Sequence, residues 1–343
     1  MALTRHCQDG NLAALQAYCA QEHVTAAQIC GSFALQVACE NGHLDVARWL
    51  LQAFQLTAED VRAYDNVTLR WSCEHGQLEI ARWLQQTFQL TAADARAYSN
   101  GALHMACSKG HLEIARWLQQ TFQLTATDAR TADNWALRGA CANGHLDVAR
   151  WLQQTFQLTA ADARAQSNYA LRWACRQGHL EVICWLQQTF HLTAIDARAS
   201  NSEAVFFACI LGHLEVARWL QQTFQLSVSD VCTEGNDTLS WICERGHLEV
   251  LRWMQRTWGI PLDVQAGVCT GTPNSSCIAY LHHLRKLRWS PRTHADFPLH
   301  ARRLALLLLL VCQRLVGEPD KPGGLPYLPP ELWHHLLSYL PAW

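Results

Sequence analysis

A glycine followed by His-Leu or Gln-Leu stands at Gly42, Gly76, Gly110, Gly144, Gly178, Gly212 and Gly246, and the interval is 34 every time. Self-similarity at such a period dictates an array of stacked units, each burying its apolar face against its neighbours rather than around one closed core. A weaker opening, C-Q-D-G-N-L at residues 7–12, places Gly10 slightly less than one period before Gly42 and reads as a degenerate N-terminal unit. Counted from each glycine, Cys lies three residues before, Leu two after, Trp seven after and Phe or Trp twelve after. The high counts of cysteine and tryptophan, 15 each, follow from this periodicity.

One unit reads as helix, glycine turn, helix, connector. Asn66, Asn100, Asn134, Asn168 and Asn236 precede N-x-A-L-like segments and are expected to N-cap a first helix. The glycine ends that helix in the left-handed conformation. The second helix, H-L-E-V-A-R-W-L-Q-Q, carries an acid in its first turn, from Asp45 to Glu249, which suits the helix dipole. An arginine three residues later is expected to pair with that acid, Arg48 with Asp45 for example; Cys184 is the exception in the column. The connector, F-Q-L-T-A-x-D-A-R-A, offers capping boxes at Thr57/Asp60, Thr91/Asp94, Thr125/Asp128, Thr159/Asp162, Thr193/Asp196 and Ser227/Asp230. The alanines behind each cap predict a further short helix.

At G-H-L-E-V the unit resembles the ankyrin repeat. His43, His111, His145, His179, His213 and His247 match the family's Gly-His pair, Leu44, Val46 and Leu50 its second-helix core, and Leu35, Leu69, Leu103 and Leu171 the leucine of its T-P-L-H motif. The resemblance covers about residues 5–262. It departs in its period, 34 rather than the usual 33, and in the hairpin, whose place is taken by L-T-A-x-D-A-R-A. The expected fold is therefore all-α: an ankyrin-like helical solenoid over residues 1–262, with helical connectors and few or no β-hairpin fingers. A degenerate cap and helical linker follow at 263–324, and a helical C-terminal segment at 325–343. Such arrays resemble the divergent ankyrin proteins of large DNA viruses and protists.

Hydrophobic residues make up 50% of the chain and charged residues 16%, enough for a buried core and too little charge for disorder. A net charge of −2 provides no global attraction to nucleic acid or acidic membranes. The longest apolar run, residues 304–312, is too short for a bilayer, which needs about 20 residues. With no signal peptide visible, an intracellular, reduced, cytoplasmic or nuclear protein is expected. Cys39 and His43 show a Cys-x-x-Gly-His pattern that recurs in most units; it reads either as metal ligands or as a small buried thiol with a backbone-bonded histidine, and the second is favoured because nothing gathers four ligands. Disulfides between column cysteines are not expected, since packed helices lie about 8–10 Å apart and a bridge needs Cα atoms within about 7 Å. The tryptophan column is read as core filler. No nucleophile–base pair, phosphate loop or H-E-x-x-H is present, so neither an enzyme nor a cofactor is implied.

The variable positions sit just before each glycine. Glu74 and His75, Ser108 and Lys109, Arg176 and Gln177, and Glu244 and Arg245 fall where ankyrin proteins face a partner on their concave surface. A variable line on a constant frame is what a binding groove requires; drift of solvated residues would look the same. In the sixth unit Phe206, Phe207, Ile210 and Leu211 are apolar where the siblings are polar, which marks either a partner site or packing under a C-terminal segment.

After Trp258 the periodicity fades into a Gly/Thr/Asn/Ser/Pro-rich loop at 265–276, a basic stretch at 282–303 that reads as a solvated face, and an apolar helix at 304–316. The chain ends L-P-P-E-L-W-H-H-L-L-S-Y-L, with Leu332, Leu336 and Leu340 on one helical stripe. This closely resembles the opening helix of an F-box, truncated as in poxviral ankyrin proteins. The resemblance implies that Leu328, Pro329, Glu331, Leu332, Leu336 and Leu340 bind a Skp-type adaptor; a helix that merely caps the solenoid is the other reading. The function expected is a non-enzymatic protein-interaction module, recruiting a target to a cullin–RING ubiquitin ligase, with a plain ankyrin scaffold as the alternative.

Overall fold

The computed structural model describes residues 2–31, 33–232 and 237–258, and the chain divides into two compact units, Met1–Asp196 and Ala197–Trp343. Among the described residues there are only helices, turns and short irregular joints, with no strand. None of these helices is long and apolar enough to cross a membrane.

The first unit opens with the degenerate pair Ala2–Asp9 and Leu12–Gln21, the second N-capped by the Asn11 side chain on the Ala14 N–H at 3.0 Å. Its later second helices are Leu44–Phe54, Leu78–Phe88, Leu112–Phe122, Leu146–Phe156 and Leu180–Phe190, all of 11 residues. In Leu112–Phe122, Ile114, Ala115, Leu118 and Phe122 are buried while Glu113 and Arg116 face solvent, the 3.6-residue pattern of a one-sided helix. The second unit repeats the plan with Ala199–Ile210, Leu214–Phe224, Val228–Val231, Asp237–Glu244 and Leu248–Trp258.

The column glycine turns the chain between the two helices. Gly110 has φ +81°, and a Cβ there would lie 2.5 Å from Nδ1 of His145 in the next repeat. Both the left-handed backbone and the close approach demand glycine. The column cysteines are buried, and burial pushes their thiols far above the ordinary range, so they pack as small neutral groups.

The connectors are helical, as expected, but they join the first helices differently. Within Ala58–Glu74, Ala92–Ser108 and Ala126–Ala142, one extended residue is followed by three left-handed ones: 64–66, 98–100 and 132–134. The expected N-caps Asn66, Asn100, Asn134 and Asn168 are not caps. Each is the last left-handed residue of this turn, φ 56–62°, with its Oδ1 buried and unbonded. Asparagine suits the position because it tolerates the left-handed region better than most residues. Asn236 lies outside the described residues.

Two other expectations change. Asp45 does not pair with Arg48; it accepts a hydrogen bond from the Val46 N–H at 2.8 Å, satisfying a free helix-terminal donor. The intended pairing does form at Glu113–Arg116, Glu215–Arg218 and Glu249–Arg252, at 3.7, 3.3 and 2.8 Å. The tryptophan column is mostly half-buried rather than core, with only Trp185 buried; each ring packs edge-on against the Phe or Trp five residues on, as in Trp117–Phe122 at 5.6 Å.

Candidate protein-binding face

The frame that holds the variable residues is an ion-pair ladder. From Asp94 to Asp230, the Asp of each capping box serves its own helix through Oδ2 and takes the arginine of the preceding repeat on both oxygens. Asp128 Oδ2 accepts from the Thr125 N–H at 2.8 Å and hydroxyl at 3.0 Å, while Oδ1 accepts from Arg96 Nε at 2.7 Å. The same geometry joins Arg62 to Asp94, Arg130 to Asp162 and Arg164 to Asp196 in the first unit, and Arg198 to Asp230 in the second, at 2.6–2.8 Å. Burial opposes ionisation of Asp128, but the bonds from Arg96 and Thr125 outweigh it and hold its carboxyl at about 2. The capping boxes were legible in the sequence; the arginine partner was missed, although the recurring D-x-R spacing places each such Arg two positions short of a full period before an Asp.

The Gly-His column adds a second tie. His43 Nε2 meets the Gln8 carbonyl at 2.8 Å and His111 Nε2 the Glu74 carbonyl at 2.9 Å; Gln77, which replaces His, donates to the Glu40 carbonyl at 3.2 Å. These carbonyls lie at the end of the preceding first helix, where acceptors have no intrahelical donor. The backbone-bonded reading of the histidines is therefore the one observed.

A third column clamps the left-handed turns. Arg70 Nε and Nη2 donate to the carbonyls of Asp65 and Tyr64, both at 2.9 Å, and Arg172 does the same to Ser167 and Gln166 at 2.8 and 3.0 Å. Arg138 makes one such bond, Nη2 to the Ala132 carbonyl at 2.9 Å, and its covered Nε has no acceptor. In the same column His104 is buried with neither ring nitrogen bonded. Burial, then the charge of Arg138, lowers its pKa to about 4, so it is neutral at pH 7.

On this frame the expected site residues take different places. Glu74 is half-buried and Lys109 exposed, and they pair at 3.5 Å; His75 is exposed, its Nδ1 at 2.9 Å from the Trp71 carbonyl. Arg176 is half-buried with its guanidinium 4.7 Å from the Trp173 ring centre. In the second unit Phe206 and Phe207 are half-buried and packed on each other, Phe206 also meets Trp241, and Leu211 is half-buried. Ile210 is buried, so its side chain packs inside rather than adding accessible surface, and its carbonyl accepts from Arg245 Nη1 at 3.1 Å. Glu244 and Arg245 are exposed. The six F-box-like positions lie outside the described residues.

Ser108 and Gln177, two repeats apart in sequence, line one depression of about 410 Å³ in the first unit. Its other walls, Trp135, Arg138, Tyr169 and Trp173, were missed by the sequence reading. The depression opens because the column five residues before each glycine carries Val37, Trp71, Met105, Trp173, Phe207 and Trp241 elsewhere but Gly139 here. That one missing side chain in an otherwise filled column was the available signal. Its volume falls in the range of about 300–1,000 Å³ typical of ligand sites. Among the described residues no cluster of three or more His, Cys, Asp or Glu side chains could hold a metal.

A search of curated proteins found no match to the chain. The family model described as ankyrin repeats, three copies, matches residues 3–94 and 103–196. With more than half of the sequence matched by that model, and the paired helices, glycine turns and buried leucines in place, the chain belongs to the ankyrin-repeat family.

Proposed function

We propose that the chain is a non-enzymatic adaptor: it takes a protein partner on the first-helix face of its ankyrin array, and its C-terminal segment recruits a Skp-type subunit of a cullin–RING ubiquitin ligase. Ankyrin repeats are protein–protein interaction modules, and that is the coarse function of the chain. The observation that carries the array half is the convergence of variable residues, Ser108 and Gln177 among them, on one aromatic-walled depression over an otherwise constant frame. Aromatic and arginine side chains at a central pocket are what interface anchors are made of. The line of Glu74, His75 and Lys109 in the first unit, and of Phe206, Phe207, Leu211, Glu244 and Arg245 in the second, supplies further contact surface. A reducing cytoplasmic or nuclear setting suits the buried free thiols.

The ligase half rests on the L-P-P-E-L-W-H-H-L-L-S-Y-L motif. Burying three leucines in an adaptor groove contributes on the order of 5–8 kcal/mol before the costs of association. Affinity purification of the intact chain, of a chain ending at Gly324 and of Leu332→Asp plus Leu336→Asp tests it. The intact chain captures the adaptor and the two variants do not, while array partners are retained by all three. Failure of the intact chain to capture an abundant adaptor rejects the ligase half and leaves a plain ankyrin scaffold. Asn143→Trp plus Gln177→Trp, two exposed positions beside the depression, blocks the array face with bulk whatever the partner's charge. Unchanged capture of every array partner by that variant rejects the face itself.

A further inference from the structure

The depression at Gly139 differs from an ordinary apolar groove in its charge. Three aromatic residues wall it, and Tyr169 and Trp173 stack on each other at 5.2 Å. Such a set of rings would suit a cationic side chain if their faces were free. They are not. The Arg138 guanidinium lies 4.8 Å from the Tyr169 ring centre and that of Arg176 lies 4.7 Å from that of Trp173. A second cation entering here would be repelled by both.

The charge of Arg138 is also only partly compensated, by the Tyr169 ring and by Asp133 at a distance. The connector arginines 62, 96, 130, 164 and 198 each pair with an aspartate. Arg138 pairs with no carboxylate, donates a single hydrogen bond, and loses the second carbonyl that Arg70 and Arg172 both keep. Asp133 acts on it electrostatically without forming an ion pair with it, its carboxylate accepting instead from the Gln166 amide at 2.6 Å. His104, which also faces Arg138, is neutral at pH 7 and offers no counter-charge. A half-buried guanidinium with no carboxylate in contact is costly, and a carboxylate with bidentate geometry is the group that best offsets it. Ser108, Asn143 and Gln177 at the rim add neutral donors for the rest of an acceptor group or for a peptide backbone.

We infer that the Gly139 depression is the anchoring pocket for an acidic peptide segment of the partner, a glutamate or aspartate carboxylate seated against Arg138 with its flanking residues beside Trp135, Tyr169 and Trp173. This rests on the array-binding reading above and narrows it to one partner chemistry. The absence of a large side chain at position 139 makes the pocket, and the unpaired arginine selects what enters it.

The probe is three fluorescent heptapeptide pools with a fixed central residue, Glu, Gln or Lys, and random flanks, plus a fourth with central phosphoserine. All are titrated against the full-length chain by fluorescence polarisation. The Glu pool is expected to bind at least about tenfold more tightly than the Gln pool, the loss expected when one charge-assisted pair worth about 1.4 kcal/mol or more is removed. The Lys pool is expected not to bind. Arg138→Gln should erase the Glu preference, Arg138→Lys should keep part of it, and Gly139→Met, which refills the column as Met105 does, should block every pool. Circular dichroism melts accompany each variant, so that a collapse of the fold is recognised and the Arg138→Lys result then decides. Equal binding of the Glu and Gln pools, a Lys preference, binding of phosphoserine without Glu, or a Glu preference that survives Arg138→Gln would each overturn the inference. If the tryptophan block at 143 and 177 abolishes partner capture while no Glu preference is found, the array face stands and the acidic-peptide assignment alone falls.

Discussion

At position 104 the array carries a buried histidine where the neighbouring repeats carry Arg70, Arg138 and Arg172. Its ring packs on Trp135 at 5.4 Å and both nitrogens are unbonded. In the folded chain its pKa is about 4, against 6.5 for an unperturbed histidine. The unfolded state therefore binds the extra proton within that window, and stability falls as pH drops through it and is fully present above pH 6.5. The shift corresponds to an effect on the order of 3 kcal/mol at its limit. His104→Leu should flatten the acid limb of the stability curve, read from urea melts at pH 4.5 and 7; a variant that loses stability on acidification as steeply as the parent would refute this. Residue identity alone could not place His104, because the same column position is a solvated clamp in one repeat and a desolvated side chain in the next.

Among the elements, the connector helices tie one repeat to the next by ion pairs. In the five connectors from Asp94 to Asp230, one aspartate both caps its own helix and holds the arginine of the preceding repeat, with side-chain exposure of 6–11% on the acid side. Asp162→Ala removes a helix cap, worth about 1 kcal/mol, and a charge-assisted pair worth about 1.5–3 kcal/mol, so a loss of about 2–4 kcal/mol is expected. Arg130→Met should cost less, because Thr159 still satisfies the other carboxylate oxygen at 2.7 Å from its N–H and 3.0 Å from its hydroxyl. A double-mutant cycle over Arg130 and Asp162 should return a coupling of about 1–3 kcal/mol; a value near zero would reduce the ladder to solvated pairs. As for pH, these carboxyls are depressed in the folded state, so their contribution is present above the unfolded value near 3.8 and is lost as pH falls through their folded values, about 2 for Asp128.

For the molecule as a whole, register matters more than length. Each ladder bond joins residues 32 apart across a period of 34. Deleting residues 65–98, one full period, brings Arg62 to the spacing from Asp128 that it now has from Asp94. Such a chain should refold with unchanged helicity per residue and a cooperative, lower-melting transition, as nearest-neighbour arrays do. Deleting only residues 65–94, one helical turn short of a period, should break the single cooperative transition, since the columns on either side of the cut then meet out of register. Circular dichroism on both chains checks the pair of outcomes, and equal stability of the two would contradict a register-locked stack.

The repeat, the all-helical class, the glycine turns and the capping boxes were all determined by the sequence, because each depends on residues within a few positions of one another and recurs often enough to be read as a column. What only tertiary structure decided is whatever joins one repeat to the next. The Arg–Asp ladder links residues 32 apart, so no local pattern names its partners. The asparagines looked like caps and are left-handed turn residues, since the connector helix runs directly into the first helix through them. The tryptophans looked like core and are half-buried outer packing, because burial depends on what the neighbouring repeat presents. The depression at Gly139 exists only where Ser108, Trp135 and Trp173 from three repeats meet around one missing side chain, and a cavity of that kind is a property of the stack rather than of any unit in it.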